Sequence, residues 1–144
     1  MQKQWYSSAF GEDGIVTAAT SSPLTDGVAF MIICSEEFAE KNKLQPMARI
    51  VAGAVTGCSP EIMGIGPIEA TKKVLSKANW GVDDVDLFEL NEAFSSQSLA
   101  VIEELKIKPE IVNLHGGALA IGHPLGASGA RITGKAASLL QYTK

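Results

Sequence analysis

The residues of this 144-residue chain that could do chemistry are two histidines, two cysteines and an asparagine beside a strand. His123 stands in IGHPLGASG, before a proline that drives it into extended backbone and out of any helix. An imidazole titrates near neutrality, so on a glycine-rich loop at a strand end it can give or take a proton. The bland alternative is a loop histidine tied to a backbone carbonyl. His115, in VNLHGG, lies nearer the preceding strand and reads as structural or peripheral. Five of the 14 glycines fall between Gly116 and Gly129, around this pair. Asn91 follows an apolar strand and precedes an amphipathic stretch, the position of a helix N-cap. Its other use is as a neutral amide donor aimed at an oxyanion.

Cys34 ends an apolar run and reads as an inert buried thiol. Cys58, in TGCSP, is on a loop, and neither cysteine has a basic neighbour or a clear helix start to lower its pKa, so neither reads as a nucleophile. No finger or HExxH spacing is present, so no metal site is expected. The segment Gly129 to Lys135 has the spacing of a phosphate loop, but Ala136 stands where Ser or Thr must hold magnesium, and the segment reads as helix.

Several elements must position these groups. SSPLTDG (Ser21 to Gly27) reads as a turn, and Val28 to Cys34 as a strand buried on both faces. Ser35 can cap a helix opened by Glu36 and Glu37. Ala48 to Val55 is a second strand, and Pro67 opens a helix that ends near Asn79. Asp84 to Leu90 alternates as a strand, and Asn91-Glu92 then opens a helix with Phe94, Val101, Ile102 and Leu105 at core spacing. Ile111 to Leu114 is a short strand, and a last helix runs roughly from Ser128 to Tyr142. Strands alternating with helices predict an α/β sandwich with a largely parallel sheet, whose ligands gather beyond the carboxyl ends of the strands. Asn91 to Phe94 and His115 to Gly129 occupy such ends.

Composition narrows the partners. A net charge of −4, with 19% charged and 46% hydrophobic residues, is that of a globular chain and argues against non-specific nucleic-acid binding. The longest apolar run, Gly27 to Cys34, is far short of the roughly 20 residues that cross a bilayer. The start, MQKQWYSSAFGEDG, does not read as a secretory signal. No membrane association and a cytoplasmic location are expected, or the mitochondrial matrix in a eukaryote.

Asn91-Glu92-Ala93-Phe94 resembles the NEAF signature of the thiolases, and the residues from Gly116 to Arg131 resemble their GGA-x-x-x-GHP-x-G-x-SG-x-R signature. The likeness is strongest to the biosynthetic acetyl-CoA acetyltransferases, and it extends through Met63 to Pro67 and Gly14 to Gly27. It implies a thiolase-like layered α/β fold with a mixed, largely parallel sheet between helices, incomplete at both ends. Residues 14–44 would close the amino-terminal half and residues 45–144 would form most of the carboxy-terminal domain, its last strands missing, with 1–13 unassigned.

The resemblance implies an acyltransferase that condenses two acetyl-CoA to acetoacetyl-CoA, or thiolyses a 3-ketoacyl-CoA. His123 would activate the nucleophile and stabilise a thioester oxyanion, and Asn91 would hold a water that completes the oxyanion hole. Ser22 would contact CoA, and Met63 and Phe94 would line the acyl and pantetheine pocket. No cofactor is bound covalently; the coenzyme A thioester is the substrate, and the family form is a homo-oligomer. Thr20 stands where the family usually has asparagine. The family's nucleophilic cysteine belongs to its amino-terminal half and its second cysteine to a C-x-G-G-G motif, and neither Cys34 nor Cys58 stands in such a motif. The chain alone is therefore expected to be inactive. The alternative is a non-catalytic CoA-binding or assembly module derived from a thiolase.

Overall fold

The computed structural model describes residues 8–142; the first seven and last two residues, and with them half of the unassigned start, lie outside the described residues. Five α-helices are described: α1 (Glu36–Lys41), α2 (Gly66–Ala78), α3 (Ser95–Glu104), α4 (Ala118–Ile121) and α5 (Leu125–Tyr142). Local chemistry sets the start of α1 and both ends of α2. The Ser35 hydroxyl accepts from Phe38 N at 3.2 Å, with Glu36 and Glu37 at the positive end of α1. Pro67 lies in the first turn of α2, where its missing N–H costs nothing, and Asn79 ends the helix in a left-handed cap at φ 57°.

Two helix starts differ from expectation. The helix after Asn91 begins only at Ser95, where Phe94, in extended backbone at φ −140° and ψ 144°, occupies the cap position without a side-chain cap. The last helix begins at Leu125, earlier than expected, since the Pro124 carbonyl already accepts from Ala127 N at 2.8 Å and Ser128 N at 2.9 Å.

Of the four expected strands, two meet. Phe88 N donates to Ile111 O and Asn113 N to Phe88 O, each at 2.8 Å, which makes one parallel bridge between Phe88 and Val112. The core gathers around that bridge: Ile68 of α2, Val101 of α3, Leu105 and Ile107 are buried, with Phe88, Leu90, Ile111 and Val112 packed against them. Burying each of these side chains contributes about 1.5–3 kcal/mol.

Val28 to Cys34 and Ala48 to Val55 have no ladder partner among the described residues. Phe30 and Ile32 are consequently 92% and 93% exposed, which corrects the expectation of a strand buried on both faces. Cys34, expected as a buried thiol, is exposed for the same reason. An apolar strand is covered only by neighbours in its sheet and layers on its faces, and periodicity does not supply them. Among the described residues no helix is long and apolar enough to cross a membrane.

Candidate active site

The expected turn Ser21 to Gly27 is instead an extended strap, and it ties two distant segments together. Ser21 bridges Phe94 and Ser22 N donates to Ala93 O at 3.0 Å, while Pro23 O accepts from His123 N at 3.4 Å. The strap reaches the histidine loop at van der Waals distance. A Cβ on Gly122 would collide with the Thr25 side chain, and one on Gly27 would stand 2.8 Å from Pro124 Cγ. Gly122 also has φ 91°, a conformation that favours glycine.

This joint brings Asn91 and His123 together across 32 positions of sequence, with Asn91 Nδ2 at 3.4 Å from His123 Nε2. On the far side of the ring, Nδ1 is 2.6 Å from the hydroxyl of Ser128, which is buried and donates to Pro124 O at 3.2 Å. An amide nitrogen only donates, so with Asn91 Nδ2 toward the ring the contact is satisfied when Nε2 accepts and Nδ1 carries the proton. Ser128 takes that proton's hydrogen bond and passes its own to the backbone. The imidazole therefore carries its lone pair at Nε2, on the side that faces Asn91. Asn91 Oδ1 is buried without a protein partner. Asn91 is accordingly no helix cap, and His123 is more than a histidine tied to a carbonyl.

Glu92 turns away from this pair. Its carboxylate accepts from Asn113 Nδ2 at 2.7 Å and from Leu119 N at 3.0 Å. Asn113, in left-handed backbone at φ 49°, also exchanges hydrogen bonds of 2.8 and 2.9 Å with Leu90 N and O, extending the bridge by one rung made of side chain. Sequence reasoning missed Ser128, Glu92 and Asn113. The available signals were an asparagine before a Gly-Gly turn and the serine and glutamate inside the two signatures.

The remaining expected residues fall into three places. Ser22 is in the strap. Met63 is 70% exposed on the 3₁₀ turn Pro60–Ile65, which packs on α3 through Gly64 and Gln97. Phe94 meets Phe10 edge to face with ring centroids 5.9 Å apart. His115 is exposed, and its Nδ1 accepts from Lys135 Nζ at 2.7 Å, consistent with a peripheral place. Cys58 is exposed, with its sulfur 3.9 Å from the carbonyl oxygen of Met63.

An imidazole and an amide meet beyond a strand end of this α/β chain, and comparison with known proteins gives the family. A model described as the thiolase C-terminal domain matches residues 44–144. The acetyl-CoA acetyltransferase of Chromobacterium violaceum is 52% identical over 124 residues, which is 86% of this chain and 32% of that protein. The crystal structure of the Bacillus anthracis acetyl-CoA acetyltransferase superposes with a TM-score of 0.91 at 48% identity, over 94% of this chain and 34% of that one. The human mitochondrial 3-ketoacyl-CoA thiolase in complex with CoA gives 0.88 at 41% identity, over 99% of this chain and 36% of that one. The chain belongs to the thiolase family. It has the thiolase-like α/β fold expected from the sequence and spans about a third of the length of the relatives it matches.

Proposed function

We propose that this chain supplies the histidine and asparagine side of a thiolase active site, in an acyltransferase that condenses two acetyl-CoA to acetoacetyl-CoA or runs the reverse thiolysis. The observation that carries this reading is the 3.4 Å approach of Asn91 Nδ2 to His123 Nε2 with Nδ1 engaged by Ser128.

In this reading the Nε2 lone pair takes the proton of a cysteine thiol from the rest of the polypeptide. The thiolate then attacks the thioester carbon, and negative charge develops on its oxygen. Once protonated, Nε2 becomes a donor. His123 thus offers a hydrogen bond to an oxyanion only after it has activated the nucleophile, and a water on Asn91 Nδ2 supplies the second. Collapse expels CoA thiolate, which recovers the proton from the imidazolium. Each donor of this kind contributes roughly 3–4 kcal/mol of transition-state stabilisation. Ser22 would contact CoA from the strap, and Met63 and Phe94 would line the acyl and pantetheine pocket. Residues 14–44 belong, on this reading, to the end of the amino-terminal half and 45–144 to the carboxy-terminal domain. The substrate is acyl-CoA or CoA, the assembled enzyme is a homo-oligomer of the cytoplasm or, in a eukaryote, the mitochondrial matrix, and it takes no nucleic acid or membrane partner.

A full-length thiolase carrying this segment in place of its own matching third tests the reading. Asn91→Ala is expected to lower kcat about 10²–10³-fold, the loss of one oxyanion donor. His123→Ala should cost at least as much. Wild-type rates in either variant would overturn it. The 144-residue chain by itself should not cleave acetoacetyl-CoA, because neither cysteine stands in a thiolase motif; cleavage abolished by His123→Ala would contradict that division of roles.

The exposed apolar segments around Phe30 and Ile50 favour a second reading, a CoA-binding or assembly module without catalysis. Calorimetry separates the two: CoA heat with no activity in the full-length hybrid favours the module.

A further inference from the structure

We infer that Glu92 is the positioning residue of the site: its carboxylate holds the 113–122 loop so that His123 meets Asn91. Three observations converge on that carboxylate. One oxygen takes the Asn113 side-chain amide and the other takes Leu119 N, a donor in the first turn of α4 that has no partner inside the helix. The third is Gly117, where an added Cβ would fall within the carboxylate itself. Gly117 has φ −138° and ψ −160°, extended backbone that any residue adopts, so glycine is needed there for space alone.

The consequence follows from chain order. Asn91 and Glu92 are neighbours in the segment just before α3, and Leu119 precedes His123 by one turn of α4 and the positive-φ Gly122. Clamping Leu119 to Glu92 therefore fixes the distance between the segment that bears Asn91 and the loop that bears His123. Neither Glu92 oxygen contacts the imidazole or the amide, so Glu92 acts only through the loop. A carboxylate suits this place because both groups facing it are donors. A carboxamide has one acceptor oxygen and would turn its own N–H toward one of them.

As a contribution to acyl transfer, this inference rests on the thiolase reading above, but the geometry is measurable without activity. In the ¹⁵N-labelled chain the two histidines are distinguished by a His115→Ala variant, and the His123 ring nitrogen shifts report its tautomer. Glu92→Gln is expected to pull those shifts toward an average of both tautomers and to speed exchange of the Leu119 amide at least tenfold. Gly117→Ala should do the same while Glu92 is present and add nothing to Glu92→Ala, the signature of one shared contact. If Glu92→Ala does not fold, Glu92→Gln and Gly117→Ala decide by themselves. Wild-type His123 shifts in folded Glu92→Gln, or an equal effect of Gly117→Ala with and without Glu92, would overturn the inference. Failure of the thiolase reading shows instead as an inactive hybrid with these ring signals intact.

Discussion

The hydroxyl of Ser128 lies 2.6 Å from Nδ1 of His123 and 3.2 Å from the carbonyl oxygen of Pro124. Because Ser128 is 3% exposed, no solvent molecule competes strongly for either contact. With its own proton on Pro124 O, the hydroxyl accepts from Nδ1 and so supports the tautomer that the Asn91 amide favours. Ser128→Ala should leave the fold in place, release the ring to both tautomers in ¹⁵N spectra, and lower kcat of a full-length hybrid about tenfold, near the worth of one hydrogen bond. An unchanged tautomer in the alanine variant would show that Asn91 alone sets it.

How much of this was legible beforehand depends on the range of each interaction. The Ser35 cap, Pro67 and the left-handed Asn79 could be read because their partners lie within one helical turn. Asn91 and Glu92 have the residue types of a helix start, but Asn91 is spent on His123 and Glu92 on Asn113 and Leu119, all at least 21 positions away. The strap carries turn chemistry in Pro23 and Asp26-Gly27, whereas Gly27 serves the close approach to Pro124. Val28 to Cys34 has the composition of a buried strand, and burial is a property of what surrounds it.

Glycine positions separate strain from flexibility. Gly122→Ala places a Cβ into Thr25 and forces alanine into φ 91°, ψ 170°. A cost of about 2 kcal/mol or more is expected, with the strap and His123 displaced together. Gly129→Ala, within α5, meets nothing within 4 Å and should stabilise by about 0.5–1 kcal/mol through helix propensity. Thermal unfolding of the two variants should move in opposite directions; a shared direction would show that the loop relaxes around Gly122.

Glu89 carries a pH dependence. Burial pushes its carboxyl above the ordinary 4.5, against the pull of Lys135, Arg131 and His115, and Glu92 adds to the rise. Its Oε1 and the Nε and Nη2 of Arg131 are buried without hydrogen-bond partners. A folded-state pKa above the unfolded one means that the folded chain binds more protons, so the effect costs nothing below the ordinary value and stability falls as pH rises through the folded value. Glu89→Gln should then match wild type in its pH dependence at pH values below 4.5 and gain in relative melting temperature toward neutrality. A constant offset across that range would mean that ionisation of Glu89 is not involved.

Phe30 and Ile32 project from an extended segment that has no ladder partner among the described residues, and both are more than nine-tenths exposed. Unpaired backbone groups beside large apolar side chains form a template for pairing with another chain. The isolated chain should therefore self-associate with rising concentration. Lysine on such an edge opposes pairing because each added strand would bury or crowd its charge. Phe30→Lys with Ile32→Lys should bring the light-scattering mass down to that of a monomer and leave the His123 and Asn91 signals unchanged, since the strap joins the site upstream at Ser22 and Pro23. Persistent association of the double variant would move the sticky surface to Ile50, Val51 and Val55, which are also exposed.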